Sequence, residues 1–243
     1  MDWSTTIRNK AYSRIKNKLQ AFIGNRCEMC LEPCHSKEFV CYQCEQDLPQ
    51  ATNSCDRCAV PLTVGNTCGH CLQHGPAFDQ SHCNYLYQAP FDRWLHLYKN
   101  KNKTDWARNL SRLMLNNPPL NLSTVDAITY VPSSRWSMLK RGFNPAELLA
   151  THLSETLELP IIHKLAHRSH SKQQKELGRK QRMANVRSSF RAGSKRLDGQ
   201  HMLLIDDVMT TGSTAHTLAK ILKKAGASKV TVWCLARTPE QRH

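Results

Sequence analysis

The stretch His201–Met202–Leu203–Leu204–Ile205–Asp206–Asp207–Val208–Met209–Thr210–Thr211–Gly212–Ser213–Thr214 decides the fold of this chain. A short apolar run bounded by turn signals reads as a buried strand of a parallel sheet. Gly212 allows backbone angles that other residues avoid, and a helical pattern runs from Thr214 to Lys224. Strand, tight turn and helix in that order set a helix N-terminus at the strand's carboxyl end. Its unpaired N–H groups and its dipole favour a phosphate there. Thr210, Thr211, Ser213 and Thr214 add hydroxyl donors. Asp206 and Asp207 sit one step earlier, where open α/β sheets bind ligands. Acceptor-only carboxylates suit sugar hydroxyls or Mg²⁺. The local physics predicts a sugar-phosphate site, with phosphate on the loop and sugar on the acids. No Gly-Lys-Ser/Thr pattern follows the glycine, which argues against a P-loop.

Outward from this stretch, strands and helices alternate, which indicates a parallel sheet flanked by helices. Lys229–Leu235 completes a β–α–β unit. Val125–Val131 is a strand ending at Pro132, and Pro145–Leu157 is a helix with proline in the favoured first turn. Between them Ser133, Ser134 and Arg135 open a loop that runs through Lys140, Arg141, Gly142, Phe143 and Asn144. That loop also falls at the sheet's carboxyl edge, so Arg135 and Arg141 can fork onto phosphate oxygens. Residues 81–87 and 161–165 suggest further strands, 91–98 and 106–115 helices, and 166–184 a polar, basic mobile loop or loop–helix. His201 and His216 read as structural or surface residues rather than catalytic bases.

Eleven cysteines without a secretory signal argue for metal rather than disulfides. Eight form four pairs of one spacing: Cys27/Cys30, Cys41/Cys44, Cys55/Cys58 and Cys68/Cys71. Two intervening residues let both thiolates reach one tetrahedral Zn²⁺, so four pairs make two structural Cys₄ sites. Sequential pairing is the simpler scheme, and interleaved pairing is also possible. The segment holds few large apolar residues, so metal would supply its stability. The expected organisation is a basic amphipathic helix over 1–26, a double zinc ribbon over 27–75 and an α/β domain over 81–243.

The formal net charge is +15, and it is concentrated: residues 164–196 carry eleven Lys/Arg against one acid, Glu176. A polyanionic substrate or a nucleic-acid backbone would fit such a run. Only Phe190 offers a stacking aromatic within it. No run of 18 apolar residues exists, so no membrane span is expected, and a cytoplasmic location is.

The acidic pair followed by Val-x-Thr-Thr-Gly-x-Thr resembles the PRPP loop of type I phosphoribosyltransferases (PRPP is 5-phosphoribosyl-1-diphosphate). Further residues narrow the resemblance to the ComF family, also called GntX-like or competence protein F. Cysteine ribbons precede the transferase domain. Val131–Pro132 is followed by Arg135 and by Arg141–Gly142–Phe143–Asn144. Then come Arg168, Gln174–Lys175–Glu176–Leu177, Arg182–Met183–Ala184–Asn185–Val186 and Phe190. The chain departs from the family at Pro145, where glutamine is usual, and at Ser133, where leucine is frequent.

The resemblance implies a type I phosphoribosyltransferase fold behind two zinc ribbons. It implies that Asp206 and Asp207 hold the ribose hydroxyls and that Thr210, Thr211, Gly212, Ser213 and Thr214 hold the 5′-phosphate. Ser133, Ser134 and Arg135 match the diphosphate loop, beside Arg141. Residues 168–185 match a loop that closes over PRPP, with Arg179, Arg182 and Asn185 as diphosphate contacts. The catalytic set would be Asp206, Asp207, Arg135 and Arg182, working with Mg²⁺·PRPP and an acceptor that the sequence does not identify. Family membership further implies a role in DNA uptake, natural transformation or use of external DNA. The rival readings are a non-catalytic module that senses PRPP or a nucleotide, one that binds single-stranded DNA, and a scaffold that docks other DNA-uptake proteins.

Overall fold

The computed structural model describes residues 25–35, 38–100, 103–168 and 190–239. These fall into two compact units, one ending at Leu48 and the other beginning at Pro49. In the first unit, β1 (Asn25–Arg26) pairs antiparallel with β2 (Pro33–Cys34), and α1 (Tyr42–Gln46) follows. The connection turns through Leu31 at φ 65°. Among its described residues the buried apolar ones are few: Cys27, Phe39, Val40, Cys44 and Leu48. The helix expected over 1–26 lies outside the described residues up to 24, and Asn25–Arg26 form a strand instead.

The second unit opens with a cysteine knuckle carrying α2 (Gly69–Gln73), then β3 (Gln80–Leu86), α3 (Phe91–Asn100) and α4 (Trp106–Leu115). Next come β4 (Ala127–Tyr130), α5 (Arg135–Arg141) and α6 (Pro145–Leu157). A two-stranded antiparallel ribbon joins β5 (Ala166–Arg168) to β6 (Phe190–Ala192). Then β7 (His201–Met209), α7 (Ser213–Lys224) and β8 (Lys229–Arg237) close the unit. The main sheet has the order β3–β8–β7–β4, and every pair is parallel.

Residues 201–205 and 230–236 are buried throughout, as a strand covered on both faces requires. Met202, Leu204, Val230 and Val232 share one apolar cluster with Ala215, Leu218, Ala219 and Leu222 of α7. At alternate positions Trp233 faces the other way and donates from Nε1 to Asn84 Oδ1 (2.8 Å). The Asn84 amide in turn donates to Met114 O on α4 (2.8 Å). α4 packs on α6, and α6 on β4 and β7, so helices cover both faces. Each fully buried leucine in this core contributes about 1.5–3 kcal/mol. Cys83 and Cys234 are buried register partners on β3 and β8.

Two expectations need correction. Of the strand expected at 161–165, only Ile161 bridges, to Ile128; the paired strand starts at Ala166. Residues 135–141 form a helix, not a loop. Ser134 caps it, its Oγ accepting from Ser137 N (3.1 Å), and Gly142 ends it at φ 80°.

Candidate active site

The parallel register brings two loops to one edge. Tyr130 pairs with Ile205, and Val131 N donates to Ile205 O (3.0 Å), so the segment leaving β4 runs beside Asp206 and Asp207. The two carboxylates line the same cavity, and Asp206 Oδ1 accepts from Asp207 N (2.9 Å). Asp207 is 8% exposed, and its carboxylate lies 2.8 Å from Lys99 Nζ at the end of α3. Burial pulls the Lys99 ammonium down, but Asp207 more than offsets it, leaving its pKa above the ordinary lysine value. Burial, then the charge of Asp207, holds the Asp206 carboxyl well above the usual carboxylate range, against the pull of Lys99. α3 is held in place by Tyr98, whose hydroxyl donates to Pro145 O (2.9 Å) and whose ring lies 5.7 Å from Phe143.

One cavity of about 210 Å³ collects these groups. Asp206, Asp207 and Lys99 line one part; Ser133, Ser134, Asn144 and Arg141 line another, with Arg168 beside them. Asn144 is buried and holds the loop's shape: Nδ2 donates to Val131 O (3.0 Å), and Oδ1 accepts from Ser133 Oγ (3.0 Å). The Arg168 guanidinium lies 5.6 Å from the buried Phe190 ring. Arg135 starts α5, is exposed, and does not line this cavity.

Thr210, Thr211, Gly212, Ser213 and Thr214 follow directly on β7 and lie outside the cavity lining, with Thr210 and Thr211 exposed and the other three half-buried. Gly212 sits at φ 73° and begins α7, with its carbonyl accepting from His216 N (2.8 Å). Thr211 Oγ1 lies 2.9 Å from Ser213 Oγ. The loop thus presents hydroxyls and the first N–H groups of a twelve-residue helix. Arg182, like Arg179 and Asn185, falls outside the described residues. His201 is structural: it is buried, with Nε2 2.8 Å from Thr231 Oγ1.

DNA utilization protein YhgH of Escherichia coli is 31% identical over 220 residues, 87% of this chain and 96% of that protein. Competence protein F of Haemophilus influenzae is 29% identical over 89% of this chain and 98% of its own length. The chain belongs to the ComF family. Competence protein ComFC of Bacillus subtilis is 28% identical over 83% of this chain and 85% of its own length. The phosphoribosyl transferase domain family matches residues 137–243, which include the acid pair and the hydroxyl loop.

Among the described residues of this ComF-family chain, the cysteines gather as Cys27, Cys30, Cys41, Cys44 and as Cys55, Cys58, Cys68, Cys71. The sulfurs of each set lie within 4.8 Å of one another, so the sequential scheme holds and the interleaved one does not. Backbone N–H groups point at the sulfurs, as in Cys68 N to Cys55 Sγ (3.3 Å) and Met29 N to Cys27 Sγ (3.4 Å). Burial opposes ionisation of Cys27, yet N–H groups of Cys30, Cys41 and Met29 outweigh it and bring the thiol to about 6. Cys55 falls to about 7 in the same way. Four convergent sulfurs, one of them already favouring thiolate, fit a tetrahedral Zn²⁺ with no open position. Cys34 stands apart, donating to Glu38 O (3.7 Å), and His35, His70 and His74 join neither group.

Sequence reasoning missed Lys99, which falls just past the helix expected over 91–98. Its buried neighbours Phe91, Trp94, Leu95 and Tyr98 do mark the face that docks. Nothing local to α3 says that the face docks over the acids.

Proposed function

We propose that the carboxyl edge of β4 and β7 binds Mg²⁺·PRPP and that the chain serves DNA uptake or the use of external DNA. The observation that carries this is the convergence of Asp206, Asp207, Lys99, Arg141 and Arg168 on one cavity beside an open hydroxyl loop. At about 210 Å³ the cavity is smaller than the usual ~300–1,000 Å³ of small-molecule sites, which suits a ligand whose 5′-phosphate sits outside it. Asp206 and Asp207 would take the ribose hydroxyls. Residues 210–214 would take the 5′-phosphate. Ser133, Ser134, Arg141 and Arg168 would surround the diphosphate.

Turnover would be displacement at ribose C1. The bond from C1 to the diphosphate oxygen breaks, the electron pair leaves with diphosphate, and an acceptor's lone pair forms the new bond before its proton is lost. Positive charge developing on the sugar faces the carboxylates, and negative charge on the leaving group faces the arginines. Mg²⁺ bound to the diphosphate would neutralise part of that leaving charge. The Cys₄ groups, closed by four sulfurs each, would take Zn²⁺ structurally and hold no substrate position.

Calorimetric titration of Mg²⁺·PRPP into the zinc-loaded protein tests the reading, with Asp207→Asn beside it. Saturable, Mg²⁺-dependent binding that is lost in the variant is expected. Absence of binding to the wild-type protein overturns it.

A second reading, single-stranded DNA binding, is favoured by α5. That helix buries none of its residues and exposes Trp136 and Leu139, with Lys140 Nζ 5.3 Å from the Trp136 ring. Arg135 and Arg141 flank it without an acid. An exposed indole among cations is a stacking platform for bases.

A further inference from the structure

The knuckle of Cys55, Cys58, Cys68 and Cys71 belongs to the same compact unit as the sheet, and its contacts lead to the hydroxyl loop. Arg237 ends β8 and is 3% exposed. Its Nε donates to Cys58 O (3.0 Å), and its Nη1 donates to Met209 O (3.3 Å), Thr210 O and Thr238 O (2.6 Å). One buried guanidinium therefore ties the backbone of a metal-binding cysteine to the first residues of the loop. Among the described residues its partners are backbone carbonyls, with no carboxylate. Carbonyl dipoles neutralise it only in part, so its charge adds to the positive potential at the loop.

Two more contacts run the same way. The segment leaving the knuckle donates from Ala77 N to Nδ1 of His216, in the first turn of α7 (3.1 Å). Phe78 is 1% exposed, and its ring would lie 3.8 Å from a Cβ placed on Gly212. Ala59, fully buried just after Cys58, shares the apolar cluster of Phe78, Met209 and Ala215. The loop's own side chains make few bonds, so its shape is set largely from below.

We propose that Arg237 is a positioning residue for the loop 210–214, and that metal in the Cys55–Cys71 site, not in the Cys27–Cys44 site, holds the loop in its phosphate-ready form. The consequence for ligand binding rests on the loop being the phosphate site proposed above. The mechanical coupling does not rest on it.

The test uses the full chain loaded with zinc, with metal content measured by atomic absorption and amide exchange followed over 209–216. Cys58→Ser should lose one zinc and speed that exchange by about tenfold or more, whereas Cys30→Ser should lose one zinc and leave it unchanged. Arg237→Gln should keep both zincs and still speed exchange, with Arg237→Lys between it and wild type. Mg²⁺·PRPP affinity should fall in the same order. Equal effects of the two cysteine variants overturn the proposal, as does an Arg237→Gln protein with wild-type exchange. If Cys58→Ser does not fold, the Arg237 pair decides alone. If wild type binds no PRPP, the function proposed above fails, and the exchange data still judge this coupling.

Discussion

At the residue scale the candidate site turns on three ionisable side chains, Asp206, Asp207 and Lys99. With 24% and 11% of the side chains exposed, the Lys99–Asp207 pair is mostly out of water. Removing one partner of a buried pair leaves the other uncompensated. Lys99→Met should cost about 2 kcal/mol, below the ~3–5 of a fully buried pair because some solvent remains. In a unit of this size that is a fall in Tm of about 4–8 °C. Adding Asp207→Asn should recover most of it, and a double-mutant cycle by thermal unfolding checks the coupling. Asp206 gives a pH dependence. Its carboxyl pKa is raised in the folded state, so folding favours the protonated form. That contribution to stability is present below the ordinary carboxylate range and is lost as pH rises through the raised value. A sugar held by both carboxylates must expel that proton. Mg²⁺·PRPP affinity should therefore rise with pH and level off once Asp206 is ionised. Calorimetry in two buffers of different ionisation enthalpy should detect proton release that Asp206→Asn abolishes. A binding enthalpy that is the same in both buffers would exclude it.

At the element scale, β7, its turn and α7 act as one device. Gly212 stands at φ 73° with a Cβ position only 3.6 Å from Met209 Sδ and 3.8 Å from Phe78 Cζ. Space is therefore adequate, and the backbone angle is the obstacle. Gly212→Ala should cost about 1–2 kcal/mol from the left-handed conformation alone. It should also weaken Mg²⁺·PRPP binding, because relief of the strain moves the first N–H groups of α7. Urea unfolding and calorimetry on one preparation separate the two effects. This element was legible because its signals are local: an apolar run, a glycine and a helical period. α4 and α6 were legible for the same reason. α5 carried equally local signals, Ser134 before it and Gly142 after it, and they were overlooked because the motif around Arg141–Asn144 reads as a loop. Lys99 and Arg237 were illegible. Each acts across the sheet edge, on a partner set by tertiary packing rather than by spacing.

At the scale of the whole molecule, the net charge of +15 makes nucleic-acid binding a question with a quantitative answer. The charge concentrates in 164–196, and an exposed aromatic suited to stacking, Trp136, lies elsewhere, on α5. If single-stranded DNA binds both, phosphate and base contributions should separate. Counterion release gives log Kobs a slope of about −0.7 per phosphate contact against log salt for a single strand. Replacing Lys172, Lys175 and Lys180 by glutamine should remove about three contacts and flatten the slope by about two. Trp136→Ala should leave the slope unchanged and lower affinity at every salt concentration by about tenfold, as loss of one stacked base at ~1–3 kcal/mol requires. Fluorescence anisotropy of a labelled oligothymidine across a salt series measures both. A slope that survives the triple replacement would place the phosphate contacts outside the basic run. An unchanged affinity in Trp136→Ala would remove α5 from the interface. PRPP binding, held at the sheet edge by residues that neither variant touches, should persist in both. Loss of PRPP binding together with DNA binding would mean that the two ligands compete for one surface rather than occupying two.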